Sequence, residues 1–124
     1  MRDPARILVV DDVADNVEIL RMRLGALGYE VVEATDGEQA LAKAAETLPD
    51  LILMDIQMPV MDGYEATRQI KANPDLKAIP IVAVTSYALS GDEEKARAAG
   101  CDGYIAKPYS PRQMLAKVRE VLGA

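Results

Sequence analysis

A chain of 124 residues with 20 acidic and 14 basic side chains, formally −6, has room for one hydrophobic core and forms no basic stripe for nucleic-acid phosphates. It contains no histidine, so it has no histidine general base, metal ligand or phosphate carrier, and any histidine its chemistry needs must come from another protein. No apolar run approaches the roughly 18 residues that span a bilayer, the charged start MRDPARILVV lacks a signal-peptide layout, and the lone Cys101, read as a core thiol, cannot close an internal disulfide. A cytoplasmic protein acting without membrane or nucleic acid is expected.

In chain order, Arg6–Val10 (RILVV) is the first strand and stops on Asp11-Asp12. Val13–Leu27 follows at helical spacing, with Val17, Leu20, Leu24 and Leu27 on one face, and Gly28 is placed to end it. Glu30–Ala34 (EVVEA) is the second strand, after which Thr35 and Asp36 begin a helix and Asp36 with Gln39 forms a variant capping box. Leu51–Met54 (LILM) is the third strand and ends on Asp55, while Asp62, just before Gly63, reads as a cap or turn residue of the next helix. Ile81–Val84 (IVAV) ends on Thr85-Ser86, with Ser90 and Glu93 as a capping box and Gly100 as the stop of the helix between them. Tyr104–Ala106 (YIA) ends on Lys107-Pro108, and Ser110, Pro111 and Gln113 open a fifth helix.

Strands that are continuously apolar are covered on both faces. Most of the five strands read this way, and their alternation with five helices predicts an α/β fold: a parallel, doubly wound, flavodoxin-like sheet in the order 2-1-3-4-5 with helices on both faces. Residues 1–124 are expected to form a single domain with no output domain.

In such sheets ligands bind beyond the carboxyl ends of the strands. Those ends carry Asp11, Asp12, Asp55, Thr85 and Lys107. Singly, each has a plain reading: a solvated turn, a strand terminator, a β-former, a solvent-facing lysine. Together they place three carboxylates, a hydroxyl and an ammonium on one rim. Carboxylates about 5 Å apart repel by on the order of 3 kcal/mol at an effective dielectric near 20. A compensating cation is needed, and oxygen-only ligands select a hard ion such as Mg²⁺. Metal, nucleophilic carboxylate and donors for the remaining oxygens make up a phosphoryl site.

The motifs ILVVDD, LILMD-x-x-MP-x-MDG, VAVTS and YIAKP, in this order and spacing, resemble the receiver domain of two-component response regulators over essentially the whole chain. The stretch from Thr85 to Lys107-Pro108 is most similar to single-domain receivers of the DivK type. The resemblance implies that Asp55 accepts a phosphoryl group from the phosphohistidine of a histidine kinase or histidine phosphotransferase. It implies that Asp12 binds Mg²⁺ directly, Asp11 through water and Gln57 through its main-chain carbonyl. Thr85 and Lys107 would hold phosphoryl oxygens, Lys107-Pro108 would be cis, and Thr85 and Tyr104 would form the switch. A downstream protein would then bind the face of the fourth helix, fifth strand and fifth helix, with the chain a monomer or a phosphorylation-dependent dimer. Gln57 and Tyr87 should flank the path of hydrolytic water, making the protein a phosphoacceptor that slowly dephosphorylates itself rather than an enzyme. Two other readings are a receiver-like interaction module that is never phosphorylated and a haloacid-dehalogenase-type phosphohydrolase. The phosphohydrolase chemistry requires an Asp two residues past the nucleophile, where Gln57 stands.

Overall fold

The computed structural model describes residues 4–58, 61–85, 92–107 and 109–123. Ser86, Tyr87, Ser90 and Pro108 lie outside them, as do the Ser90 capping box and the cis peptide expected at Lys107-Pro108. The elements follow in strict alternation: β1 (Arg6–Val10), α1 (Ala14–Ala26), β2 (Glu30–Ala34), α2 (Gly37–Thr47), β3 (Leu51–Asp55), α3 (Gly63–Ala72), β4 (Ile81–Thr85), α4 (Asp92–Ala99), β5 (Gly103–Ala106) and α5 (Pro111–Leu122). All pairings are parallel, and the sheet order is β2-β1-β3-β4-β5, as the alternation of apolar runs predicts.

Every residue of β3 and β4 is buried, which is why these strands lack polar alternation. Their side chains still alternate between two cores. Leu8, Val10, Ile52, Met54, Ile81 and Ala83 pack under α2, α3 and α4, whereas Ile7, Val9, Leu51, Leu53, Val82 and Val84 pack under α1 and α5. The chain therefore changes side between β1 and β3, and this switch point is where a doubly wound sheet leaves a crevice.

Local chemistry sets the helix ends. Ser110 and Gln113 form a full capping box: Ser110 Oγ accepts from Gln113 N at 3.1 Å, and Gln113 Oε1 accepts from Ser110 N at 2.7 Å. At α2 the variant box is shifted by one residue, since Asp36 Oδ1 accepts from Gln39 N while Gln39 Oε1 accepts from Thr35 N. Asp62 caps α3, its Oδ1 taking Glu65 N at 2.9 Å. Gly28 and Gly100 follow α1 and α4 at positive φ, where glycine carries no Cβ penalty.

Three boundaries correct the sequence reading. β3 and β4 each run one residue further, taking in Asp55 and Thr85 themselves, and β5 begins at Gly103. Leu27 does not share the buried face of α1: Val17, Leu20 and Leu24 are buried, but Leu27 is the C-cap at φ −91, ψ 3 and stands 50% exposed. Departure from helical dihedrals rotates its side chain off the stripe. Cys101 is half-buried beside one core rather than within it, with Sγ 3.8 Å from Thr67 Oγ1.

Candidate functional site

The crevice at the β1–β3 switch point holds Asp11, just past β1, and Asp55, the last residue of β3. Both are 4% exposed, and neighbouring Asp12 is exposed. One carboxylate oxygen from each of the three lies within 4.8 Å of the others. Lys107, just past β5, points its Nζ into the group, 3.6 Å from Asp11 Oδ2 and 4.0 Å from Asp55 Oδ1. Thr85, fully buried at the end of β4, completes the rim. All five strand-end residues singled out in the sequence are thus brought to one edge.

The scaffold fixes these side chains through the backbone. Asp55 pairs with Val84 across β3–β4, and Ile56 N donates to Val84 O at 3.0 Å, so the loop after Asp55 leaves the sheet beside β4. Lys107 N donates to Thr85 O at 2.7 Å, tying the lysine to the end of β4. Asp11 uses both oxygens locally: Oδ1 accepts from Val13 N at 2.9 Å and Oδ2 from Asn16 Nδ2 at 3.3 Å. It thereby supplies the start of α1 with the acceptor that its N-cap, Val13, lacks.

Burial pushes the Asp55 carboxyl up to about 7, and the nearby Asp11 carboxylate pushes in the same direction. Lys107 and the Gln57 N–H, which donates to Asp55 Oδ1 at 3.1 Å, pull against that rise without cancelling it. The rise records a carboxylate taken out of water first and crowded by a second carboxylate next, with one lysine too little to offset both. Three carboxylates against one ammonium leave an excess that a divalent ion matches. The donors are oxygens throughout, which suits Mg²⁺.

Several contacts of the site escaped the sequence reading, the first of them made by the side chain of Gln57, a residue already singled out. Gln57 Nε2 donates to Thr85 Oγ1 at 2.8 Å, a contact across 28 positions of sequence. Tyr109, two residues beyond Lys107, lies near enough for Asp11 and Asp55 to raise its phenol, after burial as the first cause. Asn16 has no signal beyond lying one helical turn past Asp12. Gly63 did carry a signal in MDG. A Cβ there would press into the Asp55 carbonyl oxygen and lie 2.8 Å from Ile56 Cα, so α3 starts directly against the backbone of Asp55. Tyr104 is half-buried on β5, packed at the edge of the core under α4.

The sequence profile described as "Response regulator receiver domain" matches residues 7–119. The chain belongs to this family and is a receiver of two-component signalling, a signalling domain rather than a conventional enzyme. It is 41% identical over 120 residues to the polar-differentiation response regulator DivK of Brucella anthropi, covering 97% of this chain and 98% of the relative. The DivK of Brucella ovis is likewise 41% identical over 117 residues, covering 94% and 95%. Among solved structures, Vibrio cholerae chemotaxis protein CheY4 superposes with a TM-score of 0.90 at 33% identity, over 94% of this chain and 98% of the other. The receiver domain of the Pseudomonas aeruginosa sensor histidine kinase PA1611, solved with a magnesium ion in its active-site cleft, gives a TM-score of 0.89 at 38% identity, over 97% and 98%. Receivers of this family interact with histidine kinases and downstream targets. Among the described residues, no helix is long and apolar enough to cross a membrane.

Proposed function

We propose that Asp55 is the phosphoacceptor of a Mg²⁺-dependent switch loaded from the phosphohistidine of a histidine kinase or histidine phosphotransferase. The observation that carries this reading is a buried carboxylate at the end of a central strand, among two further carboxylates and one lysine. An Asp55 carboxylate oxygen attacks phosphorus in line as the P–N bond to the donor imidazole breaks, and the imidazole leaves with that electron pair. The Lys107 ammonium and the Thr85 hydroxyl each hold a phosphoryl oxygen as charge builds on it. Asp11, Asp12 and Asp55, with the Gln57 carbonyl, would hold the divalent ion, which when bound offsets their repulsion and the charge of the incoming group.

The added group brings about −1.5 to −2 charge and new acceptor oxygens into a site whose hydroxyl and ammonium sit on β4 and β5. Differential contact with Thr85 then shifts the balance between two arrangements, which Tyr104 reports to the α4–β5–α5 face. That face suits a protein target: β5 is the sheet edge, α4 exposes Glu93, Glu94, Lys95 and Arg97, and a cavity of about 350 Å³ lies between α4, Tyr104 and Lys117. The receiver fold carries this function as it does in the DivK relatives, which are matched over nearly their whole length. Retention of all three carboxylates and Lys107 weighs against a receiver-like module that is never phosphorylated.

Incubation with each radiolabelled phosphohistidine donor of its source tests the proposal. Wild-type protein takes up label in Mg²⁺ and Asp55→Asn takes up none. Equal labelling of the variant would overturn the assignment. In the same assay Tyr87→Ala, which removes bulk two residues past Thr85, shortens the lifetime of the label.

A further inference from the structure

Gln57 touches both halves of the site through different atoms. Its backbone N–H donates to Asp55 Oδ1 at 3.1 Å, and its side-chain Nε2 donates to Thr85 Oγ1 at 2.8 Å. The side-chain bond is well within the normal range for an N–H donor and a hydroxyl acceptor. Thr85 is 0% exposed, so water does not readily replace that donor. A β-branched side chain has few χ1 wells, and a directional bond at its oxygen selects among them. The residue two positions past Asp55 therefore acts directly on the rotamer of the hydroxyl.

We propose that the Gln57 carboxamide is a resting-state tether on Thr85: it fixes the hydroxyl in the unphosphorylated rotamer, and phosphorylation of Asp55 exchanges this bond for one from Thr85 to a phosphoryl oxygen. The proposal rests on the reading of Asp55 as phosphoacceptor and Thr85 as phosphoryl ligand. It uses atoms distinct from the Gln57 carbonyl and gives this residue a role in setting the threshold of the switch. The exchange runs forward because a hydrogen bond to an anionic oxygen is roughly twice as strong as one between neutral groups. It reverses when the phosphoryl group is hydrolysed. A ligand that needs a fractionally populated state binds more weakly by that fraction. Loss of one neutral bond from the resting state should therefore tighten phosphoryl-analogue binding by about threefold to tenfold.

The test is titration with beryllofluoride and Mg²⁺, followed by calorimetry, on wild type, Gln57→Met, Thr85→Val and the double variant. Methionine keeps the length of the side chain and removes its donor; Gln57→Ala serves as a further variant if methionine perturbs the loop. Both Gln57 variants bind the analogue about threefold to tenfold tighter than wild type, and the gain vanishes in the Thr85→Val background. In the unliganded protein, Thr85 methyl shifts and three-bond couplings show one rotamer in wild type and averaging in Gln57→Met. Unchanged or weaker binding by both Gln57 variants, beside a wild type that binds, overturns the tether alone. A wild type that takes up no beryllofluoride overturns the phosphoacceptor reading and the tether with it.

Discussion

The two rims of the sheet handle charge in opposite ways. At the N-terminal rim the carboxylates meet donors of opposite sign or backbone N–H groups. Arg6 Nε donates to Glu30 Oε2 at 2.6 Å while its Nη1 reaches the Thr47 carbonyl, and Asp50 accepts from Arg6 N at 2.7 Å. Further along, Lys71 Nζ donates to the carbonyls of Lys77 and Ile79 and to Asp102 Oδ2, which also accepts from Ile81 N at 2.9 Å. At the C-terminal rim two buried carboxylates, an exposed third and a single lysine are pressed together, and Asp55 stays protonated up to about 7. One rim lowers the free energy of the fold, and the other raises it in the absence of a ligand.

Variants at each rim sharpen or break this contrast. Gly63→Ala forces a Cβ onto the Asp55–Ile56 backbone, and urea unfolding should show a loss of about 3 kcal/mol, accompanied by weaker Mg²⁺ binding because the acceptor itself is displaced. Asp55→Asn should instead raise the stability of the metal-free protein, while removing one of the carboxylates that would hold Mg²⁺. Folded Asp55 keeps its proton to about 7 against an ordinary value of 3.8, so between these pH values the folded state binds more protons than the unfolded one. Stability of the metal-free protein therefore falls as pH rises from about 4 to about 7, and the loss persists above that range. Replacing the carboxylate should recover about 2–3 kcal/mol at pH 8 in chelator, with the gain shrinking at pH 5 and on addition of Mg²⁺. A variant no more stable than wild type at pH 8 would show that the rim is not strained.

Lys71→Met at the opposite rim should lower stability by about 1–2 kcal/mol, since it strips a partly exposed ammonium from two carbonyls and Asp102. Mg²⁺ affinity should not change. A shift in metal binding on this substitution would mean that the rims are energetically coupled, and the contrast would then be one of position only.

Most of the fold was legible because parallel strands buried on both faces announce themselves as unbroken apolar runs, and the residue that stops each run is the residue at the rim. Asp11, Asp55, Thr85 and Lys107 could be read off in that way. Asp62 could be separated from Asp55 because a short acid before a helical pattern is a cap, as its bond to Glu65 N shows. What stayed hidden depends on contacts between distant positions or on dihedrals at element ends. The pairings of Lys71 with Asp102 and of Gln57 with Thr85 carry no signal in the sequence until the sheet brings their partners together. Leu27 fits the helical stripe by spacing and leaves it because the helix has already ended. Leu48, a non-glycine at φ 46, closes α2 just before Pro49, where spacing alone suggests no left-handed turn.

The open sheet has two free margins, and their composition bears on how the protein behaves when crowded. β5 offers only four residues along one margin, and β2 presents exposed Glu30 and Glu33 on the other, each beside an arginine of its own chain. A foreign strand adding to β2 would have to compete for those arginines and settle against carboxylates, and one adding to β5 would find little length to zip along. Extension of the sheet into filaments is thus discouraged at both margins. A signalling domain with such margins is kept from polymerising through its sheet at high concentration.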